Sequence, residues 1–392
     1  MSEDFLPFAR PSLSEEAIAE VTDCLRSGWI TTGPRMQKFE RMLSDYHGGR
    51  KALALSSATA GLHLALLALD LKEGDEVITT PLTFAATLNV IALAGAKPVL
   101  VDIDPGTLNI DVNRIEKAIT KRTRALMPVH FAGLPCDLDA IYDIARRKSL
   151  RVVEDCAHAI GAEYKNRRVG SFGDIAVMSF HPNKNMTTGE GGAVITDDAD
   201  VVQKIERLRF HGIDRNAFNR FAKSGSQQYD VVLPGYKFNM MDMQAALGIH
   251  QLPALSGFID RRAALAKRYR EMLTGWEEFT LPQAPGYFCR HAWHLFTPRI
   301  QNNAAGFDRD GFINAMKAEN IGIGLHYQAA HTFSWVRKQC SYAPEDFPHA
   351  LDAGNRICSL PLFPDLAQEQ QDRVIAAMEK TLGRQMRKRA AS

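Results

Sequence analysis

The stretch Ile175 to Thr196, IAVMSFHPNKNMTTGEGGAVIT, holds two short apolar runs separated by a polar turn. Ile175 to Phe180 is short and β-branched enough for a buried strand, and Pro182 prevents its continuation. A Gly-rich turn, Gly189 to Gly192, feeds the second run, Ala193 to Thr196. That turn lacks the G-x-G-x-x-G spacing that opens a helix, so it is no dinucleotide fingerprint. The turn between the runs presents a single lysine, Lys184.

Working outward, similar apolar runs occur at Leu53 to Leu55, Val77 to Thr79, Pro98 to Val101, Ala125 to Pro128 and Arg151 to Glu154. Helical patterns lie between them, at Ala58 to Leu69, Phe84 to Leu93, Val112 to Ile119 and Leu138 to Lys148. Strands alternating with helices predict an α/β fold with a seven-stranded, mostly parallel sheet. Past Met240 the pattern turns helical, at Asp242 to Leu252 and Asp260 to Leu273. The expected division is therefore a large unit over residues 1–250 and a smaller α+β unit over 251–392. The second unit would contain an apolar run at His294 to Ile300, a helix at Arg309 to Glu319, a turn-rich segment at Gly322 to His331 and a closing helix at Leu366 to Leu382. The basic run Arg384 to Arg389 reads as a solvated, frayed end.

Composition excludes several classes of function. The 392 residues are 45% hydrophobic and 23% charged, with 28 Gly and 18 Pro, which are ordinary globular values. Forty-seven Lys and Arg against 45 Asp and Glu leave a formal charge of +2, too little to attract nucleic acid or anionic lipid. The uncharged stretches 52–69 and 77–96 carry too many hydroxyl and amide residues for hydrocarbon and read as core. Met1 to Arg10 has no apolar signal region, and the six cysteines are scattered without a C-x-x-C pair. A cytoplasmic protein with reduced thiols and a small-molecule partner is the expectation.

In parallel sheets, ligands sit at the carboxyl ends of strands, which directs attention to three places. Leu53 to Gly61 passes through Ser56, Ser57, Ala58 and Thr59 into a helix, where free amides favour a phosphate; ordinary Ser capping is the plainer reading. Arg151 to His158 ends in Glu154, Asp155 and His158, and a carboxylate there can hold a ring nitrogen protonated or cap a helix. Lys184 is either a surface lysine or a nucleophile for an aldehyde. A phosphate site, an acid for a ring nitrogen and a lysine for an aldehyde are together what pyridoxal 5′-phosphate (PLP) requires.

The segments Glu154 to Ala162 and Ser179 to Gly192 resemble the DegT/DnrJ/EryC1/StrS family of PLP-dependent nucleotide-sugar aminotransferases. Ser27 to Pro34, containing Trp29, and Gly235 to Met240 do so as well, and the resemblance spans Leu6 to Phe363. It implies a fold-type I aminotransferase working as a homodimer with shared active sites. Lys184 would be the Schiff-base lysine and the group that moves the proton. Asp155 would face the pyridine nitrogen, His158 would lie near the phenolic oxygen, and Phe84 would stack on the ring. Ala58, Thr59 and Ser179 would hold the phosphate. Many relatives carry Asn where Lys237 stands, so either Lys237 or Asn239 would reach that phosphate from the neighbouring subunit. Trp29, His326, Tyr327 and His331 would face the substrate. Cys156 reads as a packing residue, and His291 with His294 reads as structural; no metal site is expected.

His181-Pro182 and Thr187 to Gly192 resemble the members that aminate C4 of a keto sugar. Leu6 to Ser12, Pro234 to Asn239, Gly322 to His331 and Arg356 to Pro364 resemble the branch that makes UDP-4-amino-4-deoxy-L-arabinose, with glutamate as donor, for lipid A. The alternatives are a C4 aminotransferase for a UDP- or dTDP-4-keto-6-deoxyhexose, a PLP-dependent sugar dehydratase, or a non-catalytic regulator on the same fold. The dehydratases replace the lysine with histidine, and Lys184 argues against them.

Overall fold

The computed structural model describes residues 4–213 and 229–384. Most of the loop from Gly212 to Ser226 and the basic run beyond Arg384 lie outside the described residues. Arg384 itself is anchored rather than frayed, with Nε and Nη2 each 2.7 Å from Glu278 and the guanidinium over Trp276.

The expected strands form one sheet. They are β1 (Lys51–Leu55), β2 (Glu76–Thr79), β3 (Lys97–Leu100), β4 (Thr123–Leu126), β5 (Arg151–Cys156), β6 (Ile175–Ser179) and β7 (Gly192–Thr196). Their order is β1-β7-β6-β5-β4-β2-β3. The neighbours from β6 to β3 pair in parallel, and β7 runs antiparallel to both β6 and β1. The twelve residues from Phe180 to Gly191 form turns rather than a crossover helix, and β7 returns antiparallel beside β6.

Strand alternation builds a core on each side of the sheet. Ala52 and Ala54 of β1, Ala176 and Met178 of β6, and Ala193 and Ile195 of β7 face one side. Leu53, Leu55, Val177 and Val194 face the other. Small residues on the first side let helix Pro34–Tyr46 approach, and fully buried Phe39 and Leu43 fill the space. Phe39 also lies against Gly248, where a Cβ would come within 2.6 Å of its ring, so the two helices cross closely only with glycine there. Burying each such side chain contributes about 1.5–3 kcal/mol.

Gly248 belongs to a single helix, Asp242–Met272, where the sequence predicted two. Pro253 lies inside it and breaks the apparent pattern without ending the helix. The expected division at residue 250 falls within this element. Ile249, Leu252, Leu255 and Ile259 pack with the sheet, whereas Leu265, Ala266 and Tyr269 join a second core with Phe296, Phe312 and Met378. Leu6 also packs into that second core, and its amide donates to Asn320 O. No helix among the described residues is long and apolar enough to cross a membrane.

Candidate active site

The carboxyl ends of β5 and β6 and the start of helix Ala58–Ala68 surround one cavity. Nine of the expected site residues line it together: Ala58, Thr59, Phe84, Asp155, His158, Ser179, Lys184, His326 and Tyr327.

The helix start follows from Ser57, whose Oγ accepts from the Ala60 amide at 3.1 Å. The Ala58 and Thr59 amides have no intrahelical partner, as the first N–H groups of any helix lack one. Gly192 underlies this turn: a Cβ there would lie 2.5 Å from Ala58 N. Ser179 is buried beside it on β6.

The two acids that end β5 point in different directions, as alternation requires. Glu154 is buried away from the cavity, accepting from His130 at 2.9 Å and from Tyr142 at 2.6 Å. Asp155 faces the cavity, accepting from Thr87 Oγ1 at 2.8 Å and from the Ala157 amide at 3.1 Å. Burial pushes the Asp155 carboxyl up, and those two hydrogen bonds together with Lys184 and His130 pull it down. Burial lowers the Lys184 ammonium to about 8, offset by the Asp155 charge.

His158 and His326 are both held neutral. The first lies well below the usual histidine range and the second falls to about 4, chiefly because burial disfavours the cation and Lys184 repels it. His158 Nε2 lies 2.9 Å from the Tyr327 hydroxyl, and His326 Nδ1 lies 2.9 Å from Ser359 Oγ. Phe84 is 60% exposed at the rim, its ring 5.8 Å from Tyr327.

Four expected residues lie outside the cavity. His331 is fully buried, its Nε2–H donates to Pro344 O at 2.9 Å, and its ring packs edge-on against Phe347. The short 3₁₀ turn Ala330–Thr332 directs it into the core beneath. Trp29 lies on the surface with Nε1 donating to Thr32 O at 3.1 Å. Lys237 donates to Asn239 Oδ1 at 2.7 Å, and Asn239 donates to Thr32 Oγ1. Neither borders this cavity.

Sequence reasoning missed Thr83, Thr87 and His294, which also line the cavity. His294 packs against His158 with ring centres 4.4 Å apart and the ring planes tilted by 49°. Both threonines lie in an apolar stretch where hydroxyls read as capping or packing, and only the sheet order places them beside β5.

These residues fit PLP: a lysine amine and a carboxylate share one enclosed space with unpaired helix amides over a glycine-lined turn. Fold and site together define a PLP-dependent aminotransferase of fold type I. The chain belongs to the DegT/DnrJ/EryC1/StrS aminotransferase family, whose model matches residues 11–379. It is 47% identical over 378 residues to the uncharacterized protein MJ1066 of Methanocaldococcus jannaschii, covering 96% of this chain and 98% of that one. Among solved structures, it is similar to Spr1654 from Streptococcus pneumoniae in its PMP form, with TM-score 0.89 and 32% identity over 96% of this chain and 99% of that one. It is also similar to Helicobacter pylori PseC, an aminotransferase involved in the biosynthesis of pseudoaminic acid, with TM-score 0.88 and 28% identity over 97% and 100% of the two chains.

Proposed function

We propose that this aminotransferase moves the amino group of glutamate to C4 of a nucleotide-linked 4-keto sugar. The preferred substrate is a UDP-4-keto-pentose, giving UDP-4-amino-4-deoxy-L-arabinose for lipid A modification in the cytoplasm. The observation that carries the reading is that Lys184 and Asp155 share the cavity with the free amides of helix Ala58–Ala68. The segments around His181-Pro182 and Gly322 to His331 support the choice of C4 and of the pentose. The likeness to PseC supports a sugar substrate.

PLP, when bound, supplies an electron sink for the carbon that gives up or gains the amine. The Ala58 and Thr59 amides and the Ser179 hydroxyl hold its phosphate. Asp155 would sustain the charge on the ring nitrogen, and Phe84 would lie against the ring. Lys184, with its amine brought within reach of neutrality at physiological pH, takes the proton from the reacting carbon and returns it. His158, held neutral chiefly by burial, would lie near the phenolic oxygen. His326 and Tyr327, which line the cavity, would contact the sugar. In a homodimer, Lys237 or Asn239 of a second copy reaches the phosphate.

The test is to incubate enzyme, PLP and glutamate with a panel of UDP- and dTDP-4-keto sugars and detect amino sugars by mass spectrometry. Fastest amination of the UDP-4-keto-pentose is expected. Preference for a dTDP-hexose would remove the pentose assignment, and no product from any keto sugar would overturn the reading. Lys184→Ala is expected to lose turnover by at least about 10³-fold, as befits removal of the proton-transfer group, with loss of the covalently held cofactor.

A further inference from the structure

We infer that Thr83 and Thr87 form a one-way hydroxyl relay that aims Asp155 and keeps it ionised, making both positioning residues for the cofactor ring. The inference rests on the proposed role of Asp155 toward the ring nitrogen.

Thr87 Oγ1 lies 2.8 Å from Asp155 Oδ2, and Thr83 Oγ1 lies 2.7 Å from Thr87 Oγ1. All three side chains are buried, at 5% exposure or less. An ionised carboxylate only accepts hydrogen bonds, so the single Thr87 proton must point at Asp155. Thr87 then has only lone pairs to offer Thr83, and the Thr83 proton must point at Thr87. Both hydroxyl dipoles are thereby aligned with their positive ends toward the carboxylate. In a buried chain each such bond strengthens the next. The alignment is obligatory only while Asp155 is charged, since a protonated carboxyl could also donate.

The placement follows from the fold. Thr83 lies in the loop after β2, and Thr87 lies in the first turn of helix Ala85–Leu93. The loop after β5 meets them from the other side, where the Ala157 amide donates to Asp155 Oδ1 at 3.1 Å. Each carboxylate oxygen thus has one protein donor. The other groups that act on Asp155 are Lys184, His130, Tyr327 and Cys156, from four different segments, and His158 lines the same cavity. Lys184 is the one cation among them that the cofactor itself engages. When Lys184 is so occupied, the hydroxyl relay carries more of the burden of holding the charge.

The test compares Thr87→Val, Thr87→Ser and Thr83→Val by PLP affinity of the apoenzyme and by the pH dependence of the bound cofactor's absorption. Thr87→Val is expected to weaken PLP about 10- to 100-fold, the equivalent of one hydrogen bond to a charged group. It should also move the absorption transition toward higher pH, because a carboxylate that has lost a donor is the stronger base, and the Asp155–ring pair then keeps its proton to higher pH. Thr83→Val should act in the same direction with smaller size, and Thr87→Ser should restore both readouts. Asp155→Asn separates the two claims. If Asp155→Asn loses PLP while Thr87→Val and Thr83→Val retain wild-type affinity and transition, the relay is overturned and the role of Asp155 stands. If Asp155→Asn binds and titrates as wild type, the role of Asp155 falls and the relay with it. Should Thr87→Val not fold, Thr83→Val and Thr87→Ser decide: wild-type behaviour of Thr83→Val, or failure of Thr87→Ser, overturns the relay.

Discussion

Tyr327 is where a single proton's location settles what a side chain can do. The Ala132 amide donates to His158 Nδ1 at 3.2 Å, so that nitrogen carries no proton. His158 is held neutral, and its one proton is therefore on Nε2, donating to the Tyr327 oxygen 2.9 Å away. The phenol's own proton is left free to point into the cavity that Tyr327 lines. Burial keeps that phenol above its ordinary range and hence protonated. Tyr327→Phe is expected to lower kcat about tenfold or more, in keeping with the loss of a positioned donor, while PLP affinity stays within about twofold. Steady-state rates together with PLP titration check this, and an unchanged kcat would show that the hydroxyl does not meet the substrate. Sequence alone grouped His331 with Tyr327, although the structure separates them. Gly322 to His331 is turn-rich, and no periodicity tells which side chains of a turn face outward.

At the scale of elements, the strand ends decide the site. The apolar runs of all seven strands were legible because buried strands are short, continuous and bounded by turn residues. Parallel strands bring their carboxyl ends together, so Asp155, Ser179 and Lys184 could be assigned to one place without knowing the strand order. Helices Glu15–Arg26 and Pro34–Tyr46 were not among the predicted elements, although Ser14 caps the first and Pro34 opens the second. The relay residues Thr83 and Thr87 required the order itself, which sets β2 beside β4 and β4 beside β5. β7 gives the element-level test. Its Gly192 supports the turn that ends in Ala58, and an added methyl would sit 2.5 Å from both Ser57 C and Ala58 N. Because backbone cannot yield as a side chain does, Gly192→Ala should displace the helix start. PLP affinity is expected to fall at least about tenfold, with a stability loss of about 1–3 kcal/mol, the usual cost of overpacking. Apoenzyme titration and thermal unfolding measure the two, and wild-type affinity would mean that the amides do not hold the phosphate.

For the whole molecule, buried neutral histidines set the acid limit of stability. His47, His291 and His326 are lowered to about 4, 3 and 4, with burial the chief cause in each, and His158 and His294 lie well below their ordinary value. The unfolded chain takes up protons on these groups near pH 6.5, whereas the folded chain does not until far lower pH. Between those limits the unfolded state binds more protons, so stability rises with pH and falls as the solution is acidified. The carboxylates held low by arginine, such as Glu76 and Glu278, add their loss only below about pH 4.5. Asp155 and Asp242, raised by burial, oppose it. The window from pH 6.5 to about 4 therefore belongs to histidine. His47 isolates the effect, since it lies at the end of helix Pro34–Tyr46, away from the cavity residues. Its Nδ1–H donates to Leu43 O at 2.8 Å, and its Nε2 is enclosed with no partner to receive a proton. Arg50 and Arg168 further oppose a cation there. Holoenzyme unfolding should accordingly drop by several degrees from pH 7 to pH 5. His47→Gln should remove about 2 kcal/mol of that pH dependence, since each tenfold change in proton affinity is worth about 1.4 kcal/mol. Unfolding curves at the two pH values for wild type and variant measure it, and an equal slope in both would mean that His47 titrates normally in the folded state.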